Sequence, residues 1–533
     1  MKKLLKQRSG HEKAVSILSE HKTACLEERL KNFCLGHKHV YLYGAGYYAN
    51  LYKSILSYYQ LRAEGVILSK KTMRFYDSLP VYAWDEIKEN ITGEYGIILA
   101  VSKNIQGEIL QANNFSCDVL ALDDDEFSAL TCGPALKKIA SISNGRPVSP
   151  AGKLSLSGEK ILLVQLEVTF GDMVWSSGLL REIKRNFPSS PITMVINASF
   201  KELFKECPYI EEIIPYEGLY STDGKIDYFG NFCQWMERMF SSRKGEFAAV
   251  FLPRLLPGDA FDLWENVFLA VYCEAKYLFA HSSDSMVKRA YIAKKLEPYF
   301  SGIIHHTEAQ HEVERDLSLL QLCGSTISSD KMELWLGQKE KRMAEALFDA
   351  AGADDSYCKI ALGVVGSEAK RSWPAEKYRD LCKKLAEMTD KRFCVVICGG
   401  QDALASADCI KKENPLLCIN TAGSTTLLEV AAIINRCDFY VGSDTGVMQM
   451  AAALGKDIVE ISASLQDAPP TYGHTPERTG PWRVKGIVLR PVQGLDGCRY
   501  VCRKKFAHCI NEISVDEVLE AVVQVMNGHG RQF

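Results

Sequence analysis

Short apolar runs alternate with segments of helical apolar spacing in the first part of the chain. Four of these runs have strand character: His39–Tyr43, Gly65–Leu68, Gly96–Val101 and Asp118–Leu122. Such alternation is typical of a parallel sheet whose strands are joined by crossover helices. Residues 1–140 are therefore predicted to form an N-terminal amphipathic helix followed by a small α/β domain.

Two further α/β units follow Ser141–Gly158, a stretch rich in serine, glycine and proline that we interpret as a linker. The second unit, residues 155–340, begins with the strand Lys160–Leu166, and the third, residues 355–533, begins with Lys359–Val365. Other strands are predicted at Ile192–Ile196, Phe247–Leu252, Phe393–Cys398, Leu416–Ile419, Phe439–Val441 and Ile458–Ile461, and a last helix at Ser514–Met526. The predicted fold class is α/β, with two Rossmann-like domains preceded by a smaller N-terminal Rossmann-like domain.

The composition is that of an ordinary globular protein of 533 residues with a formal net charge of −3. The lack of excess positive charge argues against a nucleic-acid partner. The sequence has no run of about 20 apolar residues, and no apolar segment follows its basic N-terminus, so neither a membrane span nor a signal peptide is expected. The 18 cysteines are scattered through apolar runs, which indicates reduced thiols and a cytoplasmic location.

The strand Phe439–Val441 runs through a turn of small residues into an alanine-rich helix. The turn contains four candidate ligand-binding residues, Ser443, Asp444, Thr445 and Gly446. Glycine lets a ligand approach the backbone, and the N–H groups at a helix N-terminus suit a diphosphate. The same residues are also expected as a helix N-cap in any doubly wound sheet. This turn alone therefore does not decide between the two roles.

Two more turns of small residues end neighbouring strands of the third unit. Thr421, Ala422 and Gly423 follow one strand, and Gly399 and Gly400 follow the other. In an open parallel sheet, ligands bind beyond the carboxyl ends of the strands. Several such turns at one edge therefore predict a site for the phosphates and sugar of a nucleotide sugar.

Charged residues at two other strand ends are candidate catalytic groups. Lys370 and Arg371 follow the first strand of the third unit, where their cations can neutralise a leaving diphosphate. A solvated basic turn is the alternative interpretation. Gly171 and Asp172 occupy the first strand-to-helix turn of the second unit. Across a cleft, the Asp172 carboxylate can take the proton of an acceptor hydroxyl, but a carboxylate there also suits a helix N-cap.

The ordered set of these pieces resembles glycosyltransferase family 9, the heptosyltransferases of bacterial lipopolysaccharide assembly. The resemblance covers roughly residues 158–527. The matching pieces are Phe170-Gly171-Asp172, Phe187-Pro188, Arg371 through Pro374, Gly399-Gly400, Asn420 through Gly423, Gly442 through Gly446, and Cys509 through Ile513.

The resemblance implies a GT-B fold, inversion at the anomeric carbon, and no required metal or cofactor. By similarity, Asp172 is the catalytic base, and Arg371 with Lys370 holds the diphosphate. Contacts to the donor are expected from Gly171, Gly399, Gly400, Thr421, Ala422, Gly423, Ser443, Asp444, Thr445, Gly446 and Gln449.

Two departures from the family pattern concern the donor site. Gln449 stands where many members carry a histidine, and Arg371-Ser372-Trp373-Pro374 replaces a Lys-x-Trp-Pro motif. These departures leave the identity of the sugar and of the acceptor undecided, and they affect the expected reaction class less. The expected partners are a nucleotide diphosphate sugar similar to ADP-heptose, a glycan or glycolipid acceptor, and a peripheral contact with the inner face of the membrane.

The function expected from the resemblance is an inverting transfer of heptose or a related sugar to a lipid-linked, lipopolysaccharide or other cell-surface glycan. One alternative is an NAD(P)- or nucleotide-sugar-dependent oxidoreductase or epimerase that uses the N-terminal unit, and another is a non-catalytic sugar-nucleotide binding protein. Gly44, Gly46 and Ala49 fit the outline of a dinucleotide fingerprint. However, Ser69 and Lys70 stand where the ribose-binding acid belongs, which argues against the oxidoreductase.

Three cysteines near the C-terminus have a spacing that can serve a metal. Cys498, Cys502 and Cys509 could bind zinc or iron as thiolates. The sequence offers His508 and His474 as the nearby candidates for a fourth ligand, and neither is marked out by spacing. Reduced cysteines in a closing loop, with no metal, are the favoured interpretation.

Overall fold

A computed structural model of the chain describes most of residues 26–528. The residues left undescribed within that span are 46, 71–72, 77, 102, 114, 123–125, 127–129, 131–135, 144–146, 151, 167–168, 218–227, 254–263, 283–295, 307, 389–391, 496, 501 and 503. The described residues form three six-stranded sheets, one after another along the chain.

The first sheet has the strand order β3-β4-β2-β1-β5-β6 and is parallel except where β3 pairs with β4. Its strands are β1 (His39–Tyr43), β2 (Gly65–Leu68), β3 (Phe75–Tyr76), β4 (Leu79–Ala83), β5 (Tyr95–Leu99) and β6 (Asp118–Leu120). Its helices are α1 (Tyr47–Tyr58), α2 (Trp84–Ile87) and α3 (Lys103–Ala112). Residues 26–36 are helical as well and pack on this sheet through Leu26 and Leu30.

The second sheet has the order β9-β8-β7-β10-β11-β12, all parallel. Its strands are β7 (Lys160–Gln165), β8 (Ile192–Asn197), β9 (Glu212–Tyr216), β10 (Phe247–Leu252), β11 (Tyr277–Ser282) and β12 (Gly302–His305). Its helices are α4 (Phe170–Trp175), α5 (Ser177–Asn186), α6 (Tyr228–Phe240), α7 (Trp264–Tyr272) and α8 (Glu312–Ser318). In this order the first strand, β7, is central. Strands β8 and β9 are added on one side of β7, and strands β10 to β12 are added on the other side. The place between β7 and β10 is the switch point where a doubly wound sheet opens a crevice.

The third sheet repeats the same order as β15-β14-β13-β16-β17-β18. Its strands are β13 (Tyr357–Gly363), β14 (Arg392–Cys398), β15 (Leu417–Asn420), β16 (Phe439–Ser443), β17 (Asp457–Ile461) and β18 (Gly486–Leu489). The helices are α9 (Gln338–Ala350), α10 (Ala375–Ala386), α11 (Leu404–Lys411), α12 (Leu427–Arg436), α13 (Gly446–Ala453), α14 (Pro476–Thr479) and α15 (Val515–Gly528). The switch point here lies between β13 and β16, which pair directly.

The stretch interpreted as a linker packs on the second unit where it is described. Leu154 and Leu156 are 5% and 8% exposed and belong to a core shared with β7 and α5. The backbone N–H of Leu154 donates to the carbonyl of Cys323 at 2.8 Å. Ile139, in the helical residues 136–142, is fully buried against the same unit. Serine, glycine and proline thus mark irregular backbone here, while two leucines fix that backbone to the core.

The second and third units share a buried interface. The Glu312 carboxylate accepts from the Arg478 guanidinium, with one Nε–Oε1 distance of 2.8 Å, and both side chains are at least 90% buried. Beside this pair, His311 stacks on Trp482 with ring centroids 4.3 Å apart. A charge pair that is removed from water holds two elements in one relative position, because separating the partners leaves an uncompensated charge.

Candidate functional site

The two switch points face each other across one cavity of about 640 Å³. The second unit supplies the residues around the start of α4, and the third supplies the ends of β13, β16 and β17. The lining residues are Thr169, Phe170, Gly171, Trp175, Val365, Gly366, Ser367, Glu368, Lys370, Arg371, Asp402, Asp444, Thr445, Gly446, Gln449, Ser462, Ala463, Ser464, Tyr472, His474, Thr479 and Cys502. This volume is within the usual range for a small-molecule site.

Arg371 and Asp444 form the central ion pair of the cleft. Nη2 of Arg371 lies 2.7 Å from Oδ2 of Asp444 and donates to the Asp444 carbonyl at 3.1 Å. The two side chains are 16% and 11% exposed. A second nitrogen, Nη1, donates to the Ser367 hydroxyl at 2.9 Å. The guanidinium is thus held by acceptors from two strand ends, with its position fixed before a ligand arrives.

Lys370 points its ammonium group to a neighbouring carboxylate. Its Nζ lies 2.7 Å from Oε2 of Glu368, and the lysine side chain is 31% exposed. The hydrogen bond from Lys370 lowers the pKa of Glu368. Both residues belong to the cleft lining. The structure therefore brings the two predicted cations to one wall, and it gives each of them an acidic partner.

The turn after β16 presents a helix N-terminus to the cleft. The side chain of Thr445 caps α13 by accepting from the N–H of Met448 at 3.4 Å. Gly446, the first residue of α13, lines the cavity. Ser443 differs from its neighbours because it is the last residue of β16 and is fully buried. It supports the turn from below and is not part of the cleft wall.

Gln449 sits on the α13 face that meets the second unit. Its Nε2 donates to the carbonyl of Thr479 at 2.6 Å, which fixes the orientation of the amide. The side chain is 1% exposed but lines the cavity, and its Oε1 has no hydrogen-bond partner among the described residues. A buried amide oxygen without a partner is costly. Gln449 is therefore suited to accept a hydrogen bond from a ligand.

Asp172 is the third residue of α4 and directly follows the cleft-lining residues Phe170 and Gly171. Its Oδ2 accepts from the N–H and the hydroxyl of Thr169, at 2.6 and 2.7 Å. This arrangement is a capping box, so the alternative role considered from the sequence is present in the structure. The residues before it, Phe170 and Gly171, line the cavity, whereas Asp172 itself is half-buried and does not.

The outer turns of the third sheet lie beside the main cavity. None of Gly399, Gly400, Thr421, Ala422 and Gly423 is among its lining residues. The turns are tied together by two hydrogen bonds, from the N–H of Gly423 to the carbonyl of Gly399 at 3.0 Å and from the Thr421 hydroxyl to Ile397 at 2.8 Å. Asp402, two residues after Gly400, is the side chain that reaches the cavity from this edge.

Glu460 is a buried acid beneath the Arg371–Asp444 pair. It lies on β17 opposite Gly442 of β16, is 1% exposed, and its Oε2 has no partner among the described residues. Burial, and then the negative charge of Asp444, hold the pKa of Glu460 well above the ordinary 4.5. The carboxyl is therefore kept neutral, so it adds no second negative charge under the cleft.

We expect Glu460→Gln to make the stability of the protein less sensitive to a rise in pH from about 5 to 8. Because the folded-state pKa is raised, the native state holds this proton more tightly than the unfolded chain, and stability is lost as pH rises above 4.5. Glutamine keeps the neutral shape and removes the titration. The measurement is the thermal midpoint of both proteins from about pH 5 to 8. As pH rises, the thermal midpoint of the variant should increase relative to that of the natural chain. Midpoints that change in parallel with pH would contradict the prediction.

Gly446→Ala should disturb a close contact between the two units. A Cβ at Gly446 would overlap the ring of Phe170, which lines the cleft, so the ring must shift. We expect a loss of about 1–3 kcal/mol of stability, as in other overpacked contacts, and weaker donor binding. Thermal unfolding and donor titration measure the two effects. Gly107→Ala, a helical position with no atom within 4 Å of the added carbon, is the matched control and should have neither effect.

Several cleft residues were not foreseen in the sequence. Ser462 and Ser464 follow β17, so the rule that placed the other turns could have found them. Tyr472, His474 and Thr479 come from an irregular segment between β17 and β18, and only the tertiary structure brings them to the cleft. No sequence pattern marked that segment.

The N-terminal unit has the expected strand, glycine turn and helix. Gly44 follows β1 with φ of +118°, a conformation that favours glycine, and its N–H donates to the carbonyl of Ile67 at 2.9 Å. At the end of β2, the Ser69 hydroxyl lies 3.1 Å from the Tyr43 hydroxyl. Gly46 lies outside the described residues.

Two facing Rossmann-like sheets with a cation-lined cleft define the GT-B class, and solved structures share this fold. The glycosyl transferase family 9 protein from Veillonella parvula DSM 2008 superposes with a TM-score of 0.57 at 18% identity, over 71% of this chain and all of that one. E. coli ADP-heptose lps heptosyltransferase II gives a TM-score of 0.50 at 18% identity, over 70% of this chain and 99% of that one. The predicted α/β fold class is confirmed.

Sequence comparison identifies the family. Residues 296–503 match the model of glycosyltransferase family 9 (heptosyltransferase). Lipopolysaccharide heptosyltransferase 2 of Escherichia coli (strain K12) is 32% identical over 360 residues, which are 61% of this chain and 86% of that protein. Lipopolysaccharide heptosyltransferase 3 of the same strain is 24% identical over 302 residues, 55% of this chain and 79% of that protein. The chain belongs to glycosyltransferase family 9 and is a glycosyltransferase, as the sequence motifs predicted. Among the described residues, no helix has the length and apolar content that crossing a bilayer requires.

Proposed function

We propose that the protein transfers heptose or a related sugar, with inversion, from a nucleotide diphosphate donor to a lipid-linked, lipopolysaccharide or other cell-surface glycan. The observation that carries this proposal is the convergence of Arg371, Lys370 and the α13 N-terminus on one cavity that also reaches the start of α4. Two cations and free N–H groups suit the charge that develops on the leaving diphosphate. The second unit supplies the facing wall at Phe170 and Gly171, so we propose that it binds the acceptor.

The donor is proposed to be an ADP-activated sugar. The heptosyltransferase relatives support this choice. In this chain, the Oε1 of Gln449 is the acceptor available to a hydroxyl of the sugar, because Nε2 is already held by Thr479. A site built to pair with a hydroxyl rejects an analogue that lacks it, since the buried oxygen is then left unpaired.

Calorimetric titration of the purified protein against a panel of ligands tests the proposed donor. The panel contains ADP-heptose, UDP- and GDP-hexoses, CMP-sugars, NAD and NADP. Binding of one nucleotide diphosphate sugar, lost in an Arg371→Ala/Asp444→Ala double variant, would support the proposal and assign the donor to the third unit. Binding of NAD or NADP alone would refute it and would move the ligand site to the turn at Gly44.

The three sheets support the proposed domain boundaries. Residues 1–140 are an accessory domain, residues 155–340 carry the acceptor side, and residues 355–533 carry the donor side.

We place the protein in the cytoplasm, with a peripheral contact at the inner face of the membrane. The exposed side chains of Tyr500 and Phe506, 44% and 57% exposed, support that contact because they belong to a basic segment.

The contact with the membrane is expected to need both charge and apolar surface. Tyr500 and Phe506 flank Cys502, which lines the cleft, and exposed Arg499 and Lys505 lie next to them. Aromatic rings and basic side chains together favour an anionic bilayer surface. Such a surface would bring a glycolipid acceptor close to the cleft.

A Tyr500→Ser/Phe506→Ser variant should sediment with anionic phosphatidylglycerol vesicles about tenfold less than the natural chain. Zwitterionic phosphatidylcholine vesicles should bind neither protein. Leu35→Ser is the matched control, because Leu35 is 75% exposed in the N-terminal unit. Equal sedimentation of the natural chain with both lipids would contradict the proposed contact.

A further inference from the structure

The segment between β18 and α15 folds three cysteines and one histidine around a common point. Cys498, Cys502, His508 and Cys509 each contribute one ligand atom, and the four atoms all lie within 4.8 Å of one another. The three cysteine side chains are 6%, 4% and 0% exposed and pack in a small cluster with Leu465. The spacing of the cysteines alone did not select a fourth ligand, whereas the folded segment places His508 among them.

The distances have the dimensions of a tetrahedral metal site. Nδ1 of His508 lies 3.9 Å from Sγ of Cys498, 3.6 Å from Sγ of Cys502 and 3.4 Å from Sγ of Cys509. A tetrahedral ion about 2.3 Å from sulfur and about 2.05 Å from nitrogen would set each sulfur about 3.6 Å from the nitrogen. The three observed values scatter around that separation.

We propose that Cys498, Cys502, Cys509 and His508 bind one Zn²⁺ ion in a closed structural site. Three thiolates and one imidazole are an established ligand set for structural zinc, which requires no open position. The alternative is three neutral thiols beside an imidazole. Thiols are weak hydrogen-bond donors, so this buried arrangement would gain little stabilisation from hydrogen bonds. Binding releases the thiol protons to solvent and leaves the ion with thiolate ligands.

The site would fix the wall of the cleft to the rest of the third unit. Cys502 lines the cavity, and Leu465, which packs on the cysteines, directly follows the lining residue Ser464. On the other side, Cys509 begins a short 3₁₀ turn, Cys509–Glu512, that leads to Ile513. The carbonyl of Ile513 accepts from the buried indole of Trp373 at 3.0 Å. One ion would thus connect the segment at the cleft with the motif that carries Arg371.

Elemental analysis of the purified full-length protein tests the proposal directly. The protein is prepared without chelators from cells grown with zinc, and we expect about one zinc per chain. Cys502→Ser and His508→Ala should each lower that content at least about fivefold, because a lost ligand weakens the site. Cys409→Ser, a partly buried cysteine outside the cluster, is the matched control and should retain the zinc. Replacement by Co²⁺ should produce the ligand-field spectrum of a tetrahedral thiolate site.

Metal content is independent of the proposed sugar transfer, so the two proposals can fail separately. If a cysteine variant does not fold, stripping the natural chain with a strong chelator replaces it. The stripped protein should melt at a lower temperature and regain its midpoint with one equivalent of zinc. A folded natural chain that contains no zinc and takes up none would overturn the proposal, and iron at one per chain would refute the choice of zinc.

Discussion

Replacing Asp172 by asparagine is expected to reduce turnover by ~10²-fold or more while leaving donor affinity nearly unchanged. The reason is the proposed role of Asp172 as the base that takes the acceptor proton, which contributes about 10²–10⁴-fold in well-studied enzymes. An asparagine side chain has a similar shape but cannot accept the proton. The measurements are steady-state turnover with saturating donor and calorimetric donor titration. A fully active variant would show that the base is a different residue.

The capping box around Asp172 requires a second variant to make that result interpretable. Asp172 accepts from both the N–H and the hydroxyl of Thr169, so a lost cap could also lower activity. Asparagine retains one oxygen that can accept from the Thr169 N–H. Thr169→Ala removes only the hydroxyl and should cost about 1 kcal/mol of stability or less, with turnover almost intact. If Thr169→Ala loses as much stability and as much turnover as Asp172→Asn, Asp172 acts through the helix cap and not as the base.

Most interior strands of the fold could be predicted because their apolar runs are buried on both faces. Phe247–Leu252 has the predicted bounds, β13 is shifted by two residues at each end, and β16 extends two residues beyond its predicted end. Parallel strands that are covered on both sides need continuous apolar sequence, so the signal is strong. The family motifs lie at the ends of these same strands, which explains why the turns near Asp444 and Arg371 were recognised.

Two of the edge strands, β9 and β18, were missed for a physical reason. The strand β9, Glu212–Tyr216, contains a proline and an exposed glutamate and is only partly buried. The strand β18, Gly486–Leu489, is short and largely half-buried. An edge strand needs neither a full apolar run nor every backbone donor, so its sequence does not differ from that of a loop.

The contacts that shape the site depend on pairs of residues far apart in the chain. Arg371 meets Asp444 across 73 positions, and Glu312 meets Arg478 across 166. The sequence marks Arg371 and Asp444 as candidates but does not show that they pair, and Glu312 and Arg478 are removed from water only by the packing of the two units. The same is true of His508, since its position among three cysteines depends on how the closing loop folds.

Arg371→Ala is expected to lower kcat/KM by about 10²–10³-fold, because the guanidinium is proposed to stabilise charge on the leaving diphosphate. Donor affinity should fall by about tenfold or more, as expected for losing a charge-assisted hydrogen bond. Lys370→Ala should have a smaller effect, since its ammonium group is more exposed and engaged by Glu368. Steady-state kinetics together with donor titration separate the effects on binding from those on turnover.

The alanine variant also leaves Asp444 without its cation, and a buried unpaired carboxylate would by itself repel a diphosphate. An Arg371→Ala/Asp444→Asn double variant removes that repulsion. If the guanidinium acts on the donor directly, the double variant should remain as impaired as Arg371→Ala. Recovery of activity in the double variant would mean that Arg371 serves only to neutralise Asp444. Arg379→Ala, which removes a cation outside the cleft lining, is the matched control and should behave like the natural chain.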